Sequence, residues 1–221
     1  MPSKALKDSL RRHLTEGSLE EIAEMALSRR TILGNLLALT FDPDPEIAWR
    51  AIEAQGMGAE ALSGTSPSYA REHMRRLYWL ITEESGGFLL RAPECMAECG
   101  ARVPDLFRSH IPIAFHLLET LEEEDLEHFR PGAIWAIGRL IHHAREHLPT
   151  VLPLVVEALD RPDSQSRGMA VWCLGEVGET DALKARGDLL DDRGPVIIYR
   201  DRKVWETTVG ELTAEVLGAG P

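Results

Sequence analysis

Arg130-Pro-Gly-Ala-Ile-Trp-Ala-Ile-Gly138 recurs 37 residues further along the chain as Arg167-Gly-Met-Ala-Val-Trp-Cys-Leu-Gly175. Arginine, alanine, tryptophan and glycine coincide at this shift. Two weaker copies begin at Arg50 and Arg91, so the steps between successive arginines are 41, 39 and 37 residues. A period of about 40 residues is typical of repeat units made of two helices. The repetition therefore predicts an all-α superhelix in which stacked helical pairs share one continuous core.

Capping residues predict where the helices of each pair begin and end. Asp44 and Asp163 are expected to act as N-caps, Ser66-Pro67 to open a further helix, and Ser18 with Glu21 to form a capping box. Glycine favours the C-terminal end of a helix. In the last clear copy the second helix is therefore expected to end at about Gly175, and the two weaker copies end near Gly58 and Gly100.

The two clear copies resemble the HEAT-repeat superfamily, in particular the HEAT-like repeats of phycobilisome lyase proteins. More closely, the chain resembles a group of small, uncharacterised bacterial HEAT-domain proteins over about residues 20–217. That second likeness is carried by Trp79, Glu83-Glu-Ser-Gly-Gly87, Ala92-Pro-Glu94, Tyr199-Arg-Asp201 and Thr208-Val-Gly-Glu211. The resemblance implies an armadillo-like α-α solenoid that presents a surface to other proteins, with ligand or lyase roles as rarer possibilities.

The C-terminal segment departs from the repeat. Pro195 to Tyr199 is β-branched and short, Asp201-Arg202 is suited to a turn, and Lys203 to Trp205 is suited to a return strand, so a small β-hairpin is expected. Thr208 with Glu211 then predicts the start of a last helix. We expect a single HEAT-like domain over residues 1–221, with four to five helical pairs and residues 195–221 as a cap.

The composition of the chain indicates which classes of partner and which cellular compartment to expect. The formal net charge is −12, and no Lys/Arg stripe is evident, so nucleic-acid binding is not expected. The apolar runs are too short to cross a bilayer, and the N-terminus has no signal core. Three cysteines, an odd number, fit a reducing compartment. We therefore expect a cytoplasmic protein, monomeric or weakly dimeric, that binds neither nucleic acid nor a membrane.

Residues 83–98 form the most unusual stretch of the sequence. Two adjacent glycines follow Glu83 and Glu84, and such a pair permits a close backbone approach. Arg91, Glu94 and Glu98 follow at i, i+3 and i+7 and therefore share one helix face. Two interpretations stay open: a polar binding site on this face, or a capped turn with a local Arg–Glu pair.

Three tryptophans form a second candidate surface. Trp79, Trp135 and Trp172 each lie four residues before a charged residue, and these charged residues are Glu83, Arg139 and Glu176. Exposed tryptophan beside charge is typical of interface hot spots, whereas buried tryptophan packs between repeats. The sequence does not separate these two arrangements.

No catalytic or metal-binding pattern emerges. Cys95 and Cys99 are four residues apart, as are His143 and His147, but a structural zinc site needs four ligands, and Cys173 has no compact partner in sequence. No phosphate-binding loop or nucleophile elbow is present. We expect no catalytic residue, metal or cofactor.

The combined expectation is a protein–protein interaction module or scaffold. Its partner is expected to lie on a concave face of the solenoid and to contact Trp79, Glu83, Glu84, Arg91, Glu94, Glu98, Trp135, Arg139, Trp172 and Glu176. The alternative is a small-ligand or cofactor-binding protein, lyase-like or a chaperone, that uses residues 83–98.

Overall fold

The structure, a computed structural model, describes residues 4–82, 91–124 and 127–218. These residues pack as two compact units. Unit 1 comprises residues 1–111 and 199–204, and unit 2 comprises residues 112–198 and 205–221. Both units are helical apart from a two-stranded sheet near the C-terminus, which confirms the all-α class with its hairpin. The single domain over residues 1–221 stays a prediction.

Unit 1 is built from a series of helices joined by short turns. The helices are α1 (Lys4–Glu16), α2 (Leu19–Ser28), α3 (Ile32–Leu39), α4 (Pro45–Thr65), α5 (Pro67–Thr82), α6 (Ala92–Arg102) and α7 (Pro104–Phe107). α4 packs on α2 along one side and on α6 along the other, so these three helices form a row. α3 packs on α4, and α5 packs on α6, as expected for the first and second helices of successive pairs.

Unit 2 repeats this arrangement. Its helices are α8 (Ile111–Glu124), α9 (Arg130–Leu140), α10 (Leu148–Glu157), α11 (Ser164–Val177), α12 (Asp181–Lys184) and α13 (Val209–Val216). The strands of the hairpin are β1 (Pro195–Arg200) and β2 (Lys203–Thr208), of which residues 199–204 belong to unit 1. α11 packs on both α9 and α13, so the second helices again form a row of three. Small residues of α9 and α11 are buried, namely Ala133, Ala136, Ala170 and Cys173. None of the helices in the described ranges is both long and apolar enough to cross a membrane.

The helices end beyond the predicted glycines, by two residues for α6 and α11 and by seven for α4. α4 continues past Gly58 to Thr65, and α11 continues past Gly175 to Val177. These glycines lie inside helices where a neighbour comes very close: a Cβ on Gly175 would lie 2.9 Å from Val216 Cγ1. The residue that ends α11 is Gly178, whose φ of +77° suits the left-handed conformation of a C-terminal cap.

Most predicted N-caps are confirmed. The Asp44 side chain accepts a hydrogen bond from Glu46 N at 2.9 Å, and the Asp163 side chain accepts one from Ser166 N at 2.7 Å. Pro67 opens α5, as predicted. The capping box at the C-terminal helix forms in full, because the Thr208 and Glu211 side chains each bond to the other's backbone N–H.

The capping box predicted for Ser18 and Glu21 is wrong. The Ser18 side chain makes no capping hydrogen bond, and its backbone N–H already donates to His13 O at 2.9 Å. The Glu21 carboxylate lies 2.9 Å from His13 Nδ1 instead. The Ser18 N–H and the Glu21 carboxylate, which the box would have joined, thus both lie against His13 of α1.

The arginine that opens each repeat has a structural role. Arg50 donates through Nη1 to Leu14 O at 2.9 Å, at the end of an earlier helix. Arg167 donates through Nη1 to Arg161 O at 2.8 Å, in the turn before its own helix. Arg130 is fully buried and pairs with a carboxylate three residues before it. The recurrence of arginine thus reflects the need to satisfy carbonyl and carboxylate oxygens at the turns.

Candidate functional site

The outward face of α5 carries exposed aromatic and cationic side chains together. Arg71, Arg75 and Trp79 lie at i, i+4 and i+8, and all three are exposed. Trp79 exposes 55% of its surface, the largest fraction among the exposed large apolar side chains of the described residues. We call Arg71, Arg75 and Trp79 the α5 stripe. Within this stripe Arg75 pairs with Glu72, which lies three residues before it on the same helix. The expectation that the chain does not bind nucleic acid stays a prediction.

Trp135 and Trp172 are packed against each other in unit 2. Their ring centroids lie 6.0 Å apart, and the ring planes differ by 12°. Trp135 is only 4% exposed and Trp172 is half-buried, and a Cβ on Gly138 would lie 2.6 Å from Trp172 Cζ3. The two rings therefore belong to the contact between α9 and α11. Of their sequence partners, Arg139 is half-buried and Glu176 is exposed.

The half-buried Arg91 and the buried Glu94 form an ion pair at the start of α6. Arg91 Nε lies 2.9 Å from Glu94 Oε1, and the Arg91 guanidinium lies over the Trp49 ring, with Cζ 4.2 Å from the ring centroid. Burial raises the pKa of the Glu94 carboxyl, and the charge of Arg91 opposes that shift. Arg91 Nη2 and Glu94 Oε2 are both buried, and neither finds a hydrogen-bond partner among the residues that the structure describes.

A carboxylate network lies further along α6 and on α4. Glu53 accepts a hydrogen bond from Tyr199 Oη at 2.7 Å, and it also pairs with Arg102 and Arg202, each at 3.3 Å. Glu98 is buried and pairs with Arg102 at 3.4 Å. Burial raises the pKa of Tyr199, and its hydrogen bond to Glu53 raises it further, so the phenol stays protonated.

Sequence reasoning missed most of this network. Glu53, Arg102 and Arg202 are far apart in sequence, and no local pattern joins them. The turn that brings Arg202 to Glu53 does have a local signature, since Asp201 and Arg202 both adopt positive φ, as in the tight turn of a β-hairpin. Tyr199 belongs to the predicted hairpin and to the family resemblance, but no sequence pattern links it to Glu53.

The candidate residues do not form one cluster. Trp79, Arg91, Glu94 and Glu98 belong to unit 1, whereas Trp135, Arg139, Trp172 and Glu176 belong to unit 2. Glu83 and Glu84 lie outside the described residues, as does most of the paired-glycine segment. Within unit 1, Glu94 and Glu98 lie on α6, Arg91 is the residue just before that helix rather than part of it, and Trp79 is exposed on α5.

The three cysteines are buried thiols. Cys95, Cys99 and Cys173 are free, and burial raises the pKa of all three, that of Cys173 to about 12. A buried thiol with a raised pKa is a poor nucleophile. No group of three or more His, Cys, Asp or Glu side chains within residues 4–82, 91–124 and 127–218 is arranged to hold a metal ion.

Comparison with known proteins supports the repeat. Residues 127–177 match the family model of the HEAT-like repeat. An uncharacterized protein of Archaeoglobus fulgidus is 25% identical to this chain over 182 residues, which make up 82% of this chain and 93% of that protein. Residues 127–177, which contain both clear copies of the repeated stretch, are a HEAT-like repeat, as the resemblance of those copies implied.

Proposed function

We propose that this chain is a protein-interaction module, without a catalytic step of its own, and that it binds its partner through the α5 stripe. HEAT-like repeats commonly mediate protein–protein interaction, which supports a function as an interaction module. The observation that supports the α5 stripe as the binding surface is the exposure of Trp79 beside Arg71 and Arg75. Tryptophan and arginine are the residue types most enriched among interface hot spots.

The chemistry of the stripe indicates its partner. The Arg71 guanidinium is suited to a carboxylate, Arg75 also pairs with the exposed Glu72, and Trp79 offers a large ring for burial against an apolar side chain. We therefore propose an acidic protein segment that carries an apolar anchor, bound to a monomeric or weakly dimeric chain inside the cell. Three free, buried cysteines support the reducing compartment.

The buried tryptophans contribute less to this proposal. Because Trp135 is 4% exposed and packs on Trp172, its ring is not available to a partner without a rearrangement of α9 and α11. The Glu94 side chain is 5% exposed, so it is also not available to a partner. The proposed surface therefore centres on α5 rather than on the second helices.

Capture from the extract of the source cells with matched variants tests the proposal. Trp79→Ala and Arg71→Gln remove two parts of the stripe, and Trp205→Ala removes another exposed tryptophan, which belongs to unit 2 and is 45% exposed. We expect one protein to be retained by the wild type and by Trp205→Ala and to be lost with the other two variants. Equal retention by all four chains would rule out the α5 stripe as the binding surface.

A second candidate function is small-ligand or cofactor binding by residues 83–98, in a lyase-like or chaperone role. It is favoured by Arg91 Nη2 and Glu94 Oε2, because buried polar atoms are seldom left without a partner. Native mass spectrometry of the purified chain tests it: a bound mass that is present in the wild type and absent from Arg91→Ala supports the ligand. A wild-type mass equal to that of the polypeptide alone contradicts it.

A further inference from the structure

Unit 1 contains a cavity of about 600 Å³ that the function proposed above does not use. Its walls come from α1, the turn between α2 and α3, α3 itself and α5. On α5, Glu72 and His73 lie three and four residues after Tyr69, and Arg76 lies seven residues after it, so these four side chains share one side of the helix. A cavity of this volume is within the range of small-molecule sites.

Two arginines give the cavity a positive charge. The guanidinium groups of Arg29 and Arg76 form no hydrogen bond or ion pair with any residue that the structure describes. The carboxylate of Glu72, which also lines the cavity, is engaged by Arg75. Two cations without a carboxylate partner are notable in a chain whose net charge is −12. This part of the surface therefore attracts anions, although the whole protein repels them.

The neutral polar side chains of the cavity are held in fixed orientations. Gln55 Nε2 donates to Leu33 O at 3.1 Å, so Gln55 Oε1 accepts from His73 Nε2 at 2.7 Å. Burial and the charge of Arg76 lower the pKa of His73 to about 4, so the ring is neutral at pH 7. Since Nε2 carries the proton, Nδ1 is an acceptor. Asn35 is likewise buried, and its Nδ2 donates to Thr31 O at 2.7 Å, which leaves Oδ1 as a second acceptor.

We propose that this cavity binds a small organic anion, whose carboxylate or phosphate head group lies at Arg29 and Arg76 and whose hydroxyl group donates to His73 or Asn35. The arginines provide charge-assisted hydrogen bonds to the head group. The two acceptors add a preference for a hydroxylated molecule over the bare head group, because their side chains are positioned before the ligand arrives. This site extends beyond the proposed interaction with a protein and does not depend on it.

Isothermal titration with simple probes tests the proposal. Glycerol 3-phosphate and L-malate present a phosphate and a carboxylate beside a hydroxyl group, and glycerol has no anionic head group. We expect saturable binding of at least one of the two anions and none of glycerol. Whichever anion binds more tightly identifies the head group. If neither anion binds saturably at millimolar concentrations, the proposal is overturned.

Matched arginine variants place the site. Arg29→Gln and Arg76→Gln remove exposed side chains that hold no other group, so we expect both variants to fold and to lose roughly tenfold to a hundredfold in affinity. Arg71→Gln makes the same change of charge on the other side of α5 and is expected to bind the anion like the wild type. Equal losses in all three variants would show attraction by general charge and would overturn the site. Arg71→Gln also separates the two proposals, because it belongs to the α5 stripe only.

Discussion

His73 illustrates how single buried side chains behave in this protein. The ring is 6% exposed, it is hydrogen-bonded to Gln55, and the charged Arg76 lies nearby. Burial and a neighbouring cation both disfavour the imidazolium form, and the pKa falls from 6.5 to about 4. Arg29 and Glu72 line the same cavity and are the other charged groups near the ring.

This shift makes stability depend on pH. Between pH 6.5 and pH 4 the unfolded chain binds a proton at His73 that the folded chain does not, so the stabilisation present above pH 6.5 is lost as the pH falls. The shift from 6.5 to about 4 corresponds to about 3 kcal/mol. We expect the free energy of unfolding, measured with urea, to fall from pH 7 to pH 4.5 by about 2–3 kcal/mol more in the wild type than in His73→Gln.

Comparison with this variant is needed because other groups titrate in the same range. Burial raises the pKa of Glu94, so its contribution has the opposite sign and is lost as the pH rises through the folded pKa. Glu94 is present in both chains, and its effect cancels in the difference. Equal losses in wild type and His73→Gln would contradict the buried, neutral state of His73.

At the scale of the elements, glycines inside the second helices mark close contacts between neighbouring helices. A Cβ on Gly56 would lie 2.8 Å from Glu98 O, and one on Gly138 would lie 2.6 Å from Trp172 Cζ3. Real Cβ atoms do not approach other atoms so closely, so α4 and α9 each have a position at which only hydrogen fits. The same residue type that ends helices elsewhere is used here for packing.

Two glycine substitutions separate these roles. Gly138→Ala is expected to destabilise the protein by about 1–3 kcal/mol, because Trp172 must move. Gly64→Ala, near the end of α4, meets no atom within 4 Å and is expected to stabilise by about 0.4–1 kcal/mol through the unfolded state. Urea unfolding midpoints measure both effects. Stabilisation by Gly138→Ala would contradict the close packing of Trp172.

The capping box that forms at Thr208 and the predicted one that does not form at Ser18 provide a second matched comparison. Thr208→Ala removes the side-chain bond to Glu211 N and is expected to cost about 1 kcal/mol. Ser18→Ala removes a hydroxyl that makes no capping bond, so no measurable loss is expected. Thermal unfolding of both variants measures the costs. A loss in Ser18→Ala as large as that in Thr208→Ala would show that the box at α2 forms after all.

At the scale of the whole molecule, the net charge and the local charge have opposite signs at α5. The chain carries 36 acidic and 24 basic residues, yet the α5 stripe places Arg71 and Arg75 beside Trp79. Surface potentials follow the nearest charges, because salt screens distant ones over about 8–10 Å. A small anion is therefore attracted to Trp79, although the protein as a whole repels it.

Fluorescence quenching by iodide tests this local field. Trp79 and Trp205 are exposed, whereas Trp49 and Trp135 are buried. We expect iodide to quench part of the tryptophan emission and this part to disappear in Trp79→Phe, while Trp205→Phe retains most of it. Quenching by neutral acrylamide provides the control for exposure alone. Iodide quenching that is unchanged in Trp79→Phe would contradict a positive field at the stripe.

The repeat, the helical class, the hairpin and most of the caps can be predicted from the amino-acid sequence alone. These features depend on residues within one helix or one turn, or on the recurrence of a pattern along the chain. Arg130 to Gly138 and its copy 37 residues later, Asp163 as an N-cap, and Thr208 with Glu211 are examples. Within the candidate site, the prediction of a shared helix is confirmed for Glu94 and Glu98, whereas Arg91 lies just before that helix.

Only the tertiary structure decided which of these side chains are accessible. Trp79 and Trp135 have the same local pattern, a tryptophan four residues before a charge, but Trp79 is 55% exposed and Trp135 is 4% exposed. The pairing of Glu53 with Arg202 and the cavity between α3 and α5 were equally absent from any sequence pattern. Helix periodicity describes one helix at a time, whereas exposure and cavities depend on which neighbouring helix covers each face.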